Sequence, residues 1–179
     1  MRVHVQLRYP ATVATVAAML ADPAYGHARV AASGAVAHHV DVVDAADGAF
    51  TVTTRRSMPT DQIPANFRAF VGTSLDVRQV EAWEAGTTTR HGTVVVEITG
   101  APVRLTGTTT LAPVPDAASP DGAEPGASLL TYDGDVKAGV PLFGAAIEEA
   151  AARAVRAALE AEQQAGSTWL GIHPRGSSA

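Results

Sequence analysis

Only one long stretch of this chain repeats with helical period, and it comes last. Across residues 143–165, Ile147, Ala151, Ala154 and Ala158 recur at i, i+4, i+7 and i+11. Glu149, Arg153, Arg156 and Glu160 keep the same rhythm on the opposite side. Such a segment is an amphipathic helix with its apolar stripe turned inward, and Glu149 and Arg153 are spaced for an i,i+4 ion pair. Gly166 reads as its stop, after which Trp169–Leu170 is expected to fold back. A helix of about 23 residues is roughly 34 Å long, close to the ~33 Å of a ten-residue strand. One helix of this length can cover a sheet, and the preceding chain must supply that sheet.

It does so with a period of two. Val3, Val5 and Leu7 alternate with Arg2, His4, Gln6 and Arg8, a half-buried strand. Two short helices follow. Pro10 and Thr12 open the first, and Asp22–Pro23 caps the second, which runs to about Ser33 with Gly34 as its stop. Val36, His38, Val40 and Val42 then share a strand face, Asp47–Gly48 makes a hairpin turn, and Phe50, Val52 and Thr54 share the next face. Four further strands are expected over 74–84, 93–100, 103–112 and 128–138. Between them, 59–72 reads as a helical turn carrying Phe67 and Phe70, a lid or an apolar plug for one end of a groove. Residues 113–126, with Pro115, Pro120, Gly122 and Pro125, read as a surface loop. The order is β, α, α, six β, α: an α+β fold with about seven antiparallel strands curved around the last helix. One domain is expected over 1–172, with 173–179 a disordered tail.

Composition narrows the function class. With 46% hydrophobic and 17% charged residues the chain is globular. It has no cysteine, which removes thiol nucleophiles, disulfides and cysteine metal sites. A net charge of −5 without a basic cluster speaks against nucleic acid and anionic membranes as partners. No apolar run is long enough to span a bilayer, and the start reads as a strand and not as a signal peptide, so a cytoplasmic location is expected. His4, His39 and His91 have no metal-ligand spacing, and His38 and His39 point to opposite faces of one strand. No metal and no cofactor is expected.

The element order, together with Leu20-Ala21-Asp22-Pro23-Ala24-Tyr25, Val71-Gly72, Glu81-Ala82-Trp83, Gly100-Ala101-Pro102-Val103 and the stretch from Val140 to Glu162, resembles the START-like (SRPBCC, helix-grip) superfamily that includes polyketide cyclases. More closely it resembles the bacterial family called domain of unknown function 2505. The resemblance covers about residues 2–172. It implies a helix-grip fold and, from the superfamily, a hydrophobic molecule held under the helix. It implies no catalytic residue, because the closer family brings no activity.

The leading expectation is binding or carriage of a lipid-like or polyketide-like molecule between sheet and helix, in a space of ~300–1,000 Å³. Its expected lining is Val40, Val52, Phe67, Phe70, Val96, Leu105, Tyr132, Phe143, Ile147 and Ala151, with His38 as the polar handle. His38 reads more readily as a core-edge histidine satisfied by backbone. Gln79 and Glu81 share parity with Leu75, Val77 and Trp83, which points them into the groove. A bulge near residue 79 would turn them outward, and that outward reading is slightly favoured. If His38 and Glu81 both face inward they form an acid/base pair, so a cyclase or dehydratase using His38 with Glu81 or Arg56 is the alternative. A closed structural or interaction domain is the third reading. Asp133 and Asp135 are expected to face solvent, and Gly134 to mark a bend or bulge.

Overall fold

The computed structural model describes residues 1–60, 74–114 and 126–172. The seven strands are β1 (Arg2–Tyr9), β2 (Ala37–Asp44), β3 (Phe50–Pro59), β4 (Ser74–Trp83), β5 (Arg90–Ile98), β6 (Val103–Pro113) and β7 (Ser128–Ala138). They form one antiparallel sheet in the order β1-β7-β6-β5-β4-β3-β2, so consecutive strands from β2 to β7 are neighbours and β1 closes onto β7. The helices are α1 (Val13–Leu20), α2 (Pro23–Ala32) and α3 (Gly144–Ile172). Residues 61–73, with Phe67, Phe70 and the expected lid, lie outside the described residues, as do most of the expected loop and the tail.

The local signals act as their chemistry requires. The Thr12 hydroxyl accepts from the Thr15 amide and starts α1. Asp22 caps α2 by accepting from the Ala24 amide, with Pro23 in the first turn, and Gly34 leaves the helix at φ +83°. In the β2–β3 hairpin Asp47 accepts from the Ala49 amide, and Gly48 takes a positive φ of 87°.

Three expectations need correction. First, β4 pairs residue for residue with β3 through Thr54↔Gln79 and Val52↔Glu81. There is no bulge at 79, and the parity that aims Gln79 and Glu81 inward holds. Second, Gly134 pairs directly with Gly107 and Val3 in unbroken register. It is a site of close approach: a Cβ on Gly107 would stand 2.4 Å from the Asp133 carbonyl oxygen and one on Gly134 2.8 Å from that of Thr106. Third, α3 neither stops at Gly166 nor reverses at Trp169, but continues to Ile172. Gly166 lies where the helix meets the tyrosines: a Cβ there would be 2.6 Å from Tyr9 Cε1 and 2.9 Å from the Tyr25 hydroxyl.

The phase of α3 also differs. Its buried residues are Ala152, Leu159, Glu162 and Gly166, and Val155 packs against the core, whereas Ala154 is exposed. The inward stripe is rotated by one residue from the alanine stripe. Alanines fit either face, so burial of the larger Val155 and Leu159 decides, at about 0.8 kcal/mol for each extra methylene. Glu149 and Arg153 remain outside and form their expected ion pair. α3 packs on β1, β7 and α2, while α2 covers β2 and β3, so the two helices share the inner side of the sheet.

Candidate functional site

The inward residues of the middle strands include charged groups. Arg29, from the buried side of α2, is 2% exposed, and Glu81, on β4, is fully buried. Arg29 Nη1 donates to Glu81 Oε1 at 3.0 Å and lies 3.8 Å from Glu162 Oε2. Arg56, at the end of the Phe50-Val52-Thr54 row on β3, donates from Nη1 to Glu162 Oε1 at 3.2 Å and from Nη2 to Gln79 Oε1 at 2.7 Å. Gln79 Nε2 closes the ring by donating to Glu81 Oε1 at 2.6 Å. Trp83 Nε1 and the Tyr132 hydroxyl each lie 3.4 Å from Glu81 Oε2. Two guanidinium and two carboxylate groups thus join α2, β3, β4 and α3 in one buried network, and their formal charges cancel.

Burial works against the charge on Arg29, but Glu81 and Glu162 more than offset it and raise its pKa. The phenols around the network respond to the same low polarity. Burial pushes Tyr25 up to about 12 and raises Tyr9 and Tyr132 well above the usual phenol value. Tyr25 also donates to the Glu162 backbone oxygen at 3.3 Å, which ties α2 to α3.

Beside this network, between α3 and the sheet, lies a cavity of about 40 Å³. Val94, Val96, Leu105 and Leu159 are among its apolar lining residues, and Arg56, Gln79, Tyr132, Asp133 and Glu162 are its polar and charged ones. Gly134 also lines it. One water needs ~10–15 Å³, so the cavity holds a few waters and is far below the volume expected of a lipid pocket.

Of the candidate lining residues, Val96, Leu105 and Tyr132 surround this cavity. Val52 is buried in the core, and Val40 is buried where Gly26 of α2 presses on it. Ile147 and Ala151 are half-buried, displaced to the flank of α3 by its phase. Two placements correct the expectation outright. Phe143 is 47% exposed and precedes the helix outside the groove. His38 is exposed and stands against His27 of α2, ring centroids 5.2 Å apart, because β2 is an edge strand whose end the helix only borders. Among the described residues no hydrogen bond joins His38 to Glu81, whose oxygens go to Arg29, Gln79, Trp83 and Tyr132. Asp133 and Asp135 point away from the core as expected. Arg2 holds the Asp133 carboxyl below its usual range by hydrogen bonding.

Sequence reasoning missed Arg29 and Glu162. Glu162 had a readable signal: it falls in the 152, 155, 159, 162, 166 series, a charge within a core stripe. Among the described residues there is no group of three or more histidine, aspartate or glutamate side chains able to hold a metal. No helix there is long and apolar enough to cross a membrane.

Comparison with known proteins supports the fold without adding an activity. A Thermus thermophilus protein of known crystal structure superposes with a TM-score of 0.61 at 12% identity, covering 98% of this chain and 100% of that one. A conserved protein from Geobacillus kaustophilus gives a TM-score of 0.50 at 15% identity, covering 94% and 96%. No curated protein matches. Residues 4–170 match the family described as "Protein of unknown function (DUF2505)", and the chain belongs to that family.

Proposed function

We propose that this protein binds a small amphipathic molecule between α3 and the sheet, with no catalytic step. The observation that carries the reading is the cavity, where apolar side chains face Arg56, Gln79, Tyr132 and Glu162 across one space. Ligand sites combine a mostly apolar lining with a few convergent polar groups. The likeness to the START-like superfamily, whose members hold hydrophobic molecules under this helix, supports the same place. Its small volume argues for entry by displacement of the N-terminal half of α3. Between Gly144 and Ala158 only Ala152 is fully buried, whereas Leu159, Glu162 and Gly166 anchor the other half. The small volume also favours a second reading, a closed domain that works through its surface; Leu142, 99% exposed, and Phe143 would then be contact residues.

Native mass spectrometry of the purified protein separates the two. A co-purifying or added amphipathic molecule retained at one per chain, with methyl resonances of Val94, Val96 and Leu105 shifting on addition, is the expected result. A protein that stays empty, with those methyls unmoved, overturns the proposal.

A further inference from the structure

The charge balance of the network beside the cavity bears on which molecule can enter, an inference that rests on the binding reading above. Arg56 and Glu162 line the cavity and belong to the buried network, whose other two charges, Arg29 and Glu81, lie outside that lining; all four groups are at least nine-tenths buried, two positive charges match two negative ones, and Asp133, which also lines the cavity, is paired with Arg2. A ligand carboxylate or ammonium brought beside this set adds a charge with no counter-ion. An isolated buried charge is strongly disfavoured. A hydroxyl or carbonyl adds none, and it finds partners. Among the described residues the Tyr132 hydroxyl has one hydrogen bond, to Glu81 at the long distance of 3.4 Å. Both Arg56 and Gln79 are among the residues that line the cavity. In addition, Arg29 Nη2 is buried with no hydrogen-bond partner among the described residues, so the network as it stands keeps a spare donor.

We infer that the groove selects an uncharged ligand, an apolar body ending in a hydroxyl or carbonyl oxygen, and rejects fatty acids and amines of the same length. The apolar wall takes the body, and the oxygen sits at the Arg56–Gln79–Tyr132–Glu162 side. The selectivity comes from charge balance, so it should change sign predictably when the balance is changed. Glu162→Gln removes one negative charge and leaves the wall net positive. Arg56→Gln removes one positive charge and leaves it net negative.

The test is titration of the full-length protein with hexanol, hexanoate and hexylammonium near neutral pH, followed by methyl resonances of the cavity lining. The expected result is binding of hexanol at least about tenfold tighter than either ion, which corresponds to about 1.4 kcal/mol. Glu162→Gln is expected to bring hexanoate level with hexanol or ahead of it, and Arg56→Gln to do the same for hexylammonium. Hexanoate or hexylammonium binding the unmodified protein as tightly as hexanol overturns this inference while leaving the binding site standing. A folded Glu162→Gln protein with an unchanged ranking overturns it too. If neither variant folds, the ranking on the unmodified protein decides alone. Failure of all three probes to bind removes the binding reading and this inference together.

Discussion

Glu81 shows how much of this molecule depends on single side chains. It is fully buried on β4, and Arg29, Gln79, Trp83 and Tyr132 all direct donors at it. Removing one member of a buried pair strands the other's charge, a loss of about 3–5 kcal/mol. Glu81→Leu should therefore cost about that much in urea unfolding. Arg29→Met combined with Glu81→Leu should cost clearly less than the two single changes summed, because no charge is then left unpaired. Simple additivity would show that the pair is not coupled. Strand alternation is enough to aim Glu81 inward. It gives no indication of Arg29, which sits on a short helix whose sequence offers no reason to bury an arginine until the facing carboxylates are known.

At the level of elements, α3 has two halves with different roles. The C-terminal half is fixed against β1 and α2, where Gly166 lets the backbone approach Tyr9 and Tyr25. Gly166→Ala should destabilise the protein by about 1–3 kcal/mol through overpacking. In contrast, a Cβ on Gly171 meets nothing within 4 Å. Gly171→Ala in the same helix should cost nothing and can add up to about 0.5 kcal/mol of helix propensity. Thermal or urea unfolding of the two variants checks this, and an equal response at both sites would contradict the close-packing account. The existence and charged face of α3 were legible in its periodicity, but its length was not: Gly166 reads as a stop and the helix runs on to Ile172. Its phase was not, because alanines specify a face only weakly and the decision fell to Val155, Leu159 and the pairing of Glu162.

For the molecule as a whole, the three tyrosines offer a single readout. Tyr9, Tyr25 and Tyr132 are the full complement, all are buried, and burial raises all three above the usual phenol value. The unfolded chain gives up its phenolic protons near pH 10, while folded Tyr25 holds on to about 12 and Tyr9 and Tyr132 are likewise raised by burial. Stability is therefore undiminished by these groups below pH 10. It falls as pH rises beyond that, by about 1.4 kcal/mol per pH unit for each phenol still protonated in the fold. Tyrosinate absorbance should appear together with loss of circular dichroism, in one base-induced transition. Tyrosinate forming near pH 10 in a protein that keeps its fold would show that the phenols are open to solvent.

The sequence by itself determined the elements and their order. Side chains alternate along a strand and recur every 3.6 residues along a helix, and Thr12, Asp22, Gly34 and Asp47–Gly48 act through neighbours in the chain. These are local consequences of backbone geometry. Alternation also assigned faces, and Tyr132, Leu105 and Val96 were rightly turned inward. Depth was another matter. His38 shares a face with buried Val40 but lies at the border of an edge strand, so it stays in solvent. Only the tertiary structure brought residues 29, 56, 81 and 162 into one neutral buried network and reduced the expected pocket to a small polar-ended cavity. Pairing charges from four separate elements, and setting the volume left between them, depend on distances in space that no spacing along the chain contains.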